Sequence, residues 1–293
     1  VVQHRGRRPG FDHHAPVHEH HLVGDVPGES DLVGHHDHGH AAGGQALHDD
    51  QDPWPTVSAS AIAFDAGWHV PQPLDDDGMD RVTDAFVHAA RRAVRLGFEV
   101  VELHSAHGYL LHQFLSPLSN QRDDAYGGTL ADRLRFPLQV LEAVRAVVPS
   151  SVALGMRISA TDWVDGGWDV DDSIEYVGAA QSVGIDYVCV SSAGLTAQAR
   201  VPIGPGYQVP AAARIRAATG VVTRAVGLIT SAMQANAIIT EGQADQVALA
   251  RAILDDPRWG WHAADALAVE VHCPPQYARA RPGSWRAVRD RSA

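Results

Sequence analysis

From Asp80 onward, apolar positions follow two alternating patterns. Helical spacing predicts amphipathic helices near residues 82–96, 130–147, 172–183, 210–218 and 232–241. Short apolar runs predict buried strands near residues 98–103, 152–158, 187–191, 221–225 and 246–249. Strands that alternate with helices indicate a parallel sheet covered by helices. The pattern therefore predicts an α/β protein with five strands of a (β/α)8 TIM barrel, counted as the fourth to the eighth.

The region ahead of these strands is short for a barrel, which takes roughly 250 residues. Residues 1–52 hold 11 of the 18 histidines and lack apolar periodicity, so we expect a mostly disordered leader. The barrel region then covers residues 53–281, and 282–293 form a tail. The first two to three strands have no recognisable counterpart. Either the leader replaces them, or the sequence begins at the wrong place or in the wrong reading frame.

Composition excludes several classes of function. The formal charge of −12 disfavours nucleic acid and anionic membranes as partners, and no apolar run is long enough to span a bilayer. A cytoplasmic protein that acts on a small molecule is the expectation. The two cysteines, Cys189 and Cys273, cannot form a disulfide scaffold. The sequence contains no lysine, which excludes Schiff-base and pyridoxal-phosphate chemistry.

The segment 101–120, VELHSAHGYLLHQFLSPLSN, carries the strongest chemical signal. His104, His107 and Tyr109 are expected on the loop that leaves the strand predicted at 98–103. In parallel α/β proteins this end of a strand is where active sites lie. Two imidazoles three residues apart can converge on one carbonyl or anionic oxygen, and a phenol beside them can deliver a proton.

Several further segments in the same order extend this signal. They are RDDAYGGTLADR at 122–133, GMRISATDWVDGGW at 155–168, VSSAGL at 190–195, IGPGYQV at 203–209, AVGLIT at 225–230, ALARAILDDP at 248–257 and PPQYAR at 274–279. With the histidine pair, they resemble the old yellow enzyme family of flavin-dependent ene-reductases, and specifically its thermophilic-like branch. The resemblance runs from about Trp54 to about Arg281.

The resemblance implies an FMN enzyme that takes hydride from NADPH or NADH and reduces an activated alkene. His104 and His107 then hydrogen-bond the carbonyl oxygen of the acceptor, and Tyr109 protonates its α-carbon. His112 is expected to be structural, and Asp162 and Trp163 match the family without an assigned role.

The resemblance also implies a set of cofactor-binding residues. Arg157 ends a strand, where its guanidinium can stabilise negative charge on the reduced flavin near N1 and C2=O; the alternative is a salt bridge to Asp162 or Asp165. Two late loops are expected to cradle the phosphate, as is common after strands seven and eight of such barrels. The remaining cofactor residues are Ser192, Gly194, Gly227, Leu228, Ala250, where the family usually has glycine, and Arg251.

Arg279 resembles an arginine that this branch inserts into a neighbouring subunit's active site, which implies a homo-oligomer. The alternative is a solvated tail arginine. The leader histidines form two clusters, His13 to His21 and His35 to His40, that would bind transition metals adventitiously. We expect no functional metal site, because a disordered leader does not supply fixed geometry.

Two other classes stay open. A different FMN barrel, such as a dehydrogenase of 2-hydroxy acids or dihydroorotate, would need other base residues, and the HSAHGY spacing disfavours it. A non-catalytic barrel remnant with a metal-binding leader would keep the late motifs and lack flavin. The first strands of the family supply further residues around the flavin, so we expect this chain alone to bind FMN weakly or not at all.

Overall fold

The computed structural model describes residues 55–280. Its main sheet has five parallel strands in sequence order. They are β3 (Val100–Ser105), β4 (Ala153–Ser159), β5 (Tyr187–Ser191), β6 (Val222–Ala225) and β7 (Gln246–Val247), and they follow a separate parallel pair, β1 (Val57–Ser58) and β2 (Gln72–Pro73). The five strands expected from the apolar pattern are therefore confirmed.

Helices connect these strands, as parallel pairing requires. They are α1 (Asp76–Arg95), α2 (Leu110–Leu115), α3 (Leu130–Arg145), α4 (Val170–Val183), α5 (Val209–Thr219), α6 (Ala232–Thr240), α7 (Arg251–Asp255) and α8 (Trp259–Ala266), followed by a 3₁₀ segment, Pro275–Ala280. The first helix begins earlier than the expected residue 82, because the Asp75 side chain caps it by accepting the N–H of Gly78. Gly184, with φ of 106°, ends α4 in the left-handed conformation.

The hydrophobic core lies between the sheet and its helices. On β3, Leu103 and Ser105 are buried on this side, whereas Val100, Glu102 and His104 on the other side are exposed. The largest fully buried side chains include Trp168, Tyr176, Phe114 and Phe136. Strand β3 therefore has one face buried under the helices and one face that carries exposed side chains, including Glu102 and His104.

The side chains of that second face, several of them polar, lie in two rows across the strands. One row contains Glu102, Gly155, Tyr187 and Val222, and the next contains His104, Arg157, Cys189, Arg224 and Gln246. The Tyr187 hydroxyl donates to Glu102 at 2.8 Å, and the Arg224 guanidinium stacks on the Tyr187 ring at 4.3 Å. Gly155 leaves room for that ring, because a Cβ there would lie 2.2 Å from it.

The β1–β2 pair is anchored to the loop after α2. The Arg122 guanidinium donates to the carbonyls of Ala59 and Leu74 at 3.1 and 2.7 Å, and Gln121 N–H donates to Ser60. The expected leader at residues 1–52 and tail at 282–293 lie outside the described residues. Within residues 55–280, no helix is both long and apolar enough to cross a membrane.

Candidate active site

The sequence-predicted residues cluster at one edge of the sheet, because the carboxyl ends of parallel strands point the same way. His104 lies near the end of β3, and Arg157 faces it across the β3–β4 pairing. Ser192 and Gly194 follow β5, Gly227 and Leu228 follow β6, and Ala250 and Arg251 follow β7. The structure therefore places the predicted residues of five strand ends on one rim.

His104 differs from the expectation in one respect: it belongs to β3 itself and not to the loop that follows. Its backbone pairs with β4, and its side chain points into the row that contains Arg157. The imidazole lies with its centroid 5.1 Å from that of His107 and 4.8 Å from that of the Tyr109 ring. The strand thus fixes one histidine and the loop brings the other two rings to it.

The loop after β3 is held in an uncommon conformation. His107 has a φ of 58° and Gly108 a φ of 75°. The His107 N–H donates to Ser159 at 2.9 Å, and the Ser159 hydroxyl donates to the Ala193 carbonyl at 2.8 Å. A left-handed histidine costs conformational energy and persists only when its surroundings determine it. Here residues on two neighbouring strand ends supply that support.

Both imidazoles are held neutral. Although the His104 side chain lies on the exposed face of β3, the surrounding protein partly desolvates both rings. This burial, and next the positive charge of Arg157, lower the pKa of His104 to about 4 and the pKa of His107 to about 3. At neutral pH each ring therefore carries one N–H and one lone pair. A neutral imidazole can donate from a single nitrogen, so its tautomer decides which group it can polarise.

A buried polar cluster supports the loop from below. The Gly108 N–H donates to Nδ1 of His112 at 2.9 Å, so the His112 proton lies on Nε2, 3.1 Å from Oδ1 of Asp162. The other Asp162 oxygen accepts the Ser116 hydroxyl and the Trp168 N–H at 2.6 and 2.8 Å. Burial raises the pKa of Asp162, but these polar contacts outweigh it and hold the pKa below its ordinary value. The structural role expected of His112 is therefore to accept the Gly108 N–H and to connect the loop to Asp162.

Gly108 and Gly194 bring two loops into direct backbone contact. A Cβ on Gly108 would lie 2.3 Å from the Gly194 carbonyl oxygen, and one on Gly194 would lie 2.5 Å from the His107 Cα. Both glycines also have positive φ. Neither position has space for a side chain, so glycine is required at both.

Gln208 is a site residue that sequence reasoning missed. It is buried at the start of α5, where its Oε1 accepts the Ser192 hydroxyl at 2.6 Å and the Ser191 hydroxyl at 3.2 Å, while its Nε2 donates to the Val226 carbonyl at 3.1 Å. The Ser191 hydroxyl lies 2.7 Å from Nε2 of His107. The only sequence signal for this role was a polar residue at the start of a helix. That signal does not reveal the hydrogen-bond partners, because they lie at the ends of other strands.

Arg157 has a side-chain nitrogen whose hydrogen-bonding capacity is unsatisfied. Its Nε is buried and has no hydrogen-bond partner among residues 55–280. The alternative salt bridge to Asp162 or Asp165 does not form within this described part of the chain. A buried guanidinium nitrogen without a partner is costly, and an electron-rich heterocycle placed against it would satisfy it.

The late loops are more open. Gly227 has a φ of 116° and Leu228 a φ of 50°, so the chain turns sharply after β6. Ala250 and Arg251 are exposed, and α7, which begins at Arg251, has no buried residue. These loops present backbone and a guanidinium to solvent, which suits an anionic group.

Two predicted features fall outside this rim. Arg279 is exposed on Pro275–Ala280, a segment whose Tyr277 ring packs on Trp261 of α8 at 5.2 Å. Cys189 is buried in β5, and burial raises the pKa of its thiol to about 11. Among residues 55–280 no three His, Cys, Asp or Glu side chains are grouped to hold a metal. The leader histidines lie outside that range.

Sequence comparison identifies the family to which this chain belongs. Residues 39–270 match the model of the NADH:flavin oxidoreductase / NADH oxidase family. The match begins inside the segment expected to be an unrelated leader. NADPH dehydrogenase of Geobacillus thermodenitrificans is 42% identical over 265 residues, 89% of this chain and 76% of that protein. NADPH dehydrogenase of Listeria innocua is 39% identical over 87% of this chain and 76% of its own length.

Solved structures are similar in fold. Morphinone reductase in complex with tetrahydroNAD aligns with a TM-score of 0.60 and 25% identity, over 77% of this chain and 64% of that chain. A complex of 2-naphthoyl-CoA reductase aligns with a TM-score of 0.68 and 23% identity, over 72% of this chain and 33% of that chain. The chain thus spans about a third of the latter protein and about three quarters of the two NADPH dehydrogenases.

The family match shows an α/β-barrel oxidoreductase of the FMN-binding kind, and the parallel sheet with two neutral histidines, a tyrosine and an arginine at its strand ends is consistent with that class. The chain belongs to the NADH:flavin oxidoreductase / NADH oxidase family. The resemblance to the old yellow enzyme family and the expectation of a TIM-barrel fold are thereby confirmed.

Proposed function

We propose that this chain carries the active site of an FMN-dependent oxidoreductase that uses NADPH or NADH to reduce α,β-unsaturated carbonyl compounds. The observation that carries the proposal is the grouping of three rings. The centroid of His104 lies 5.1 Å from that of His107 and 4.8 Å from that of Tyr109. The family membership supports the cofactor and the reductant.

The residues present fit FMN. The unpartnered Nε of Arg157 would face the pyrimidine side of the flavin, and Ser192 and Gly194 would line its edge. The turn at Gly227 and Leu228, with Ala250 and Arg251, would hold the phosphate through backbone N–H groups and one guanidinium. When bound, FMN would take hydride from the nicotinamide and pass it to the alkene.

His104 and His107 supply the polarising groups. Both are neutral at pH 7, so each has one N–H to donate to the acceptor's carbonyl oxygen. Negative charge builds on this oxygen as hydride arrives at the β-carbon. Donors fixed before the reaction therefore stabilise the transition state more than the ground state.

Tyr109 supplies the proton. Tyr109 directly precedes α2, and its ring packs at a tilt against that of His104. This packing holds the phenol on the same side of the site as the imidazoles. In the proposed reaction the phenol O–H bond breaks as a C–H bond forms at the α-carbon. Solvent then returns a proton to the phenolate.

Arg279 and oligomerisation extend the proposal. Arg279 lies exposed on the segment after α8, so in the proposed homo-oligomer it reaches the active site of a neighbouring subunit. Substitution of this arginine would then raise KM for the acceptor, and mixing with a subunit that carries an intact Arg279 and an inactivated His104 would restore activity.

The test is a visible spectrum of the purified chain with and without added FMN, followed by anaerobic NADPH and then 2-cyclohexenone. With FMN added in excess, which offsets the weak binding expected of this chain alone, we expect a flavin band that bleaches with NADPH and returns with the enone. Oxidation by dissolved oxygen, which needs no polarised carbonyl, serves as the control for the last step. A flavin that bleaches and is reoxidised by oxygen alone would overturn the proposed substrate class.

A further inference from the structure

A hydrogen-bonded chain links three strand ends, and the proposed reaction gives no role to any of its members except His107. It runs from the Val226 carbonyl after β6, through Gln208 at the start of α5, to Ser191 at the end of β5 and then to His107. Ser191 and Gln208 are buried, with 4% and 2% of their surface exposed, so water does not compete with these contacts.

The direction of each bond follows from the Val226 end. A backbone carbonyl can only accept, so the Gln208 atom that faces it at 3.1 Å is the amide nitrogen. The amide oxygen then faces the two serines, and because it only accepts, both hydroxyls donate to it. A flipped amide would place two oxygens against each other and leave the serine protons without this acceptor.

One consequence concerns Ser191, which has a single proton. That proton points to Gln208, so the lone pairs of the Ser191 oxygen face Nε2 of His107 at 2.7 Å. The contact is then a hydrogen bond only if Nε2 carries the imidazole proton. The alternative, in which Ser191 donates to a bare Nε2, removes one of the two bonds to the Gln208 oxygen.

We propose that Gln208 is a positioning residue which, through Ser191, keeps the proton of neutral His107 on Nε2. The inference rests on the proposed function, in which this N–H polarises the acceptor carbonyl. In that reaction the Nε2 proton, which Ser191 accepts in the free site, would be donated instead to an acceptor oxygen that comes within hydrogen-bonding distance of Nε2. Without Gln208, the Ser191 proton is free to bond to Nε2, and the His107 proton moves to Nδ1.

The first measurement is ¹⁵N NMR of the FMN-loaded full chain labelled at histidine, because protonated and bare ring nitrogens resonate far apart. The His107 signal is assigned by its loss in His107→Gln. We expect a protonated Nε2 in the wild type, a shift towards protonated Nδ1 in Gln208→Met, and no such shift in Ser191→Ala, which lacks the hydroxyl that would donate to Nε2. Gln181→Met, on the exposed surface of α4, is the matched control and leaves the signal unchanged.

Enone turnover provides the second readout. We expect Gln208→Met to lower kcat for the enone about three- to tenfold, the value of one hydrogen bond of about 1 kcal/mol. In the Ser191→Ala background the same substitution should add nothing, since the link to His107 is already cut. A purely structural Gln208 would instead add its effect in both backgrounds.

Two results overturn the proposal: a wild-type His107 with its proton on Nδ1, or an unchanged His107 signal in Gln208→Met. The NMR measurement needs no turnover, so it decides the tautomer even if the enone is not a substrate. Absence of enone reduction in the wild type, with Nε2 protonated, would overturn the proposed function and leave Gln208 as the residue that sets the tautomer.

Discussion

The ends of β3 and β7 sit on the same rim but are built differently. At the end of β3, the loop of His107 and Gly108 is tied down through both backbone N–H groups and packed against a second loop. At the end of β7, a two-residue strand leads into exposed Ala250 and Arg251 and a short helix with no buried residue. One end is fixed by the protein itself, and the other offers groups to a ligand.

The difference between the two strand ends indicates that they have different functions in the site. Groups that stabilise charge in a transition state must be fixed before the reaction, because ordering them at that moment would cost the energy they provide. Groups that hold a phosphate can be ordered by the phosphate when it binds. We therefore expect substitutions near β3 to change stability and turnover, and those near β7 to change cofactor affinity.

The largest expected effect is that of Asp162→Ala, which removes the carboxylate under the β3 loop. His112, Ser116 and the Trp168 N–H would lose their acceptor in a fully buried place. We expect the free energy of unfolding in urea to fall by about 3–5 kcal/mol. The control, Asp171→Ala, removes a surface partner of Arg214 and should cost no more than about 1 kcal/mol. Equal losses would show that the buried cluster is no more important than a surface pair.

Substitution of either imidazole by alanine should affect turnover more than stability. Each of His104→Ala and His107→Ala removes one donor to the acceptor oxygen, so flavin reoxidation by the enone should slow by about 10²–10³-fold. Stopped-flow absorbance measures this step. Reoxidation by oxygen should stay within a few-fold of the wild-type rate, and an equal slowing of both reactions would show that the histidines hold the flavin and do not polarise the acceptor.

Gly108→Ala tests the packing of the β3 loop. Its Cβ would overlap the Gly194 carbonyl in addition to the cost of a φ of 75°, so we expect a loss of about 2–3 kcal/mol in unfolding free energy. Gly128 is the matched control: its φ is 80°, but nothing lies within 4 Å of a Cβ there. Gly128→Ala should cost only about 1–2 kcal/mol. A Gly108 variant as stable as the Gly128 variant would mean that the two loops separate easily.

Arg251→Ala tests the β7 end. Its side chain is exposed, so the free energy of unfolding should change by less than about 0.5 kcal/mol. FMN affinity, followed by quenching of flavin fluorescence, should fall about tenfold or more, because a charge-assisted hydrogen bond to phosphate is lost. Riboflavin, which has no phosphate, is the control ligand and should bind both proteins equally.

Acid should weaken the fold through the histidines of the β3 end. In the native chain the pKa of His104 is about 4 and that of His107 about 3, both below the ordinary value of 6.5. Between about pH 6.5 and pH 4 the unfolded chain binds more protons than the native chain, so stability decreases as pH falls. The slope of unfolding free energy against pH should be shallower in His107→Gln. Identical slopes would contradict a depressed pKa for His107.

Much of the fold follows from the sequence, because alternation of the two apolar periodicities is a local signal. It gives the five strands and the helices α1, α3, α4, α5 and α6 to within a few residues. The helices α2, α7 and α8 were not predicted, because they are too short to show a clear periodicity. The β1–β2 pair was missed because two-residue strands such as Val57–Ser58 have no periodicity to detect. The start of α1 was missed because its first turn is acidic, and its cap depends on the Asp75 side chain.

The candidate site was only partly predictable for a different reason. His104, His107 and Tyr109 occur within six positions of one another, so their spacing is visible in the chain. Gln208 meets Ser191 and Val226 only because β5 and β6 end side by side. Hydrogen bonds between separate strand ends depend on the folded arrangement, and no local pattern reports them.

The backbone contact between Gly108 and Gly194 also limits how substrate range can be altered. Libraries that vary either glycine should return mainly glycine, because a side chain at one position collides with the main chain at the other. Length changes in one loop would have to be matched in the other. At the side of the rim after β7, Ala250 and Arg251 are exposed, so variation there would be limited by the phosphate proposed to bind and not by packing between two loops.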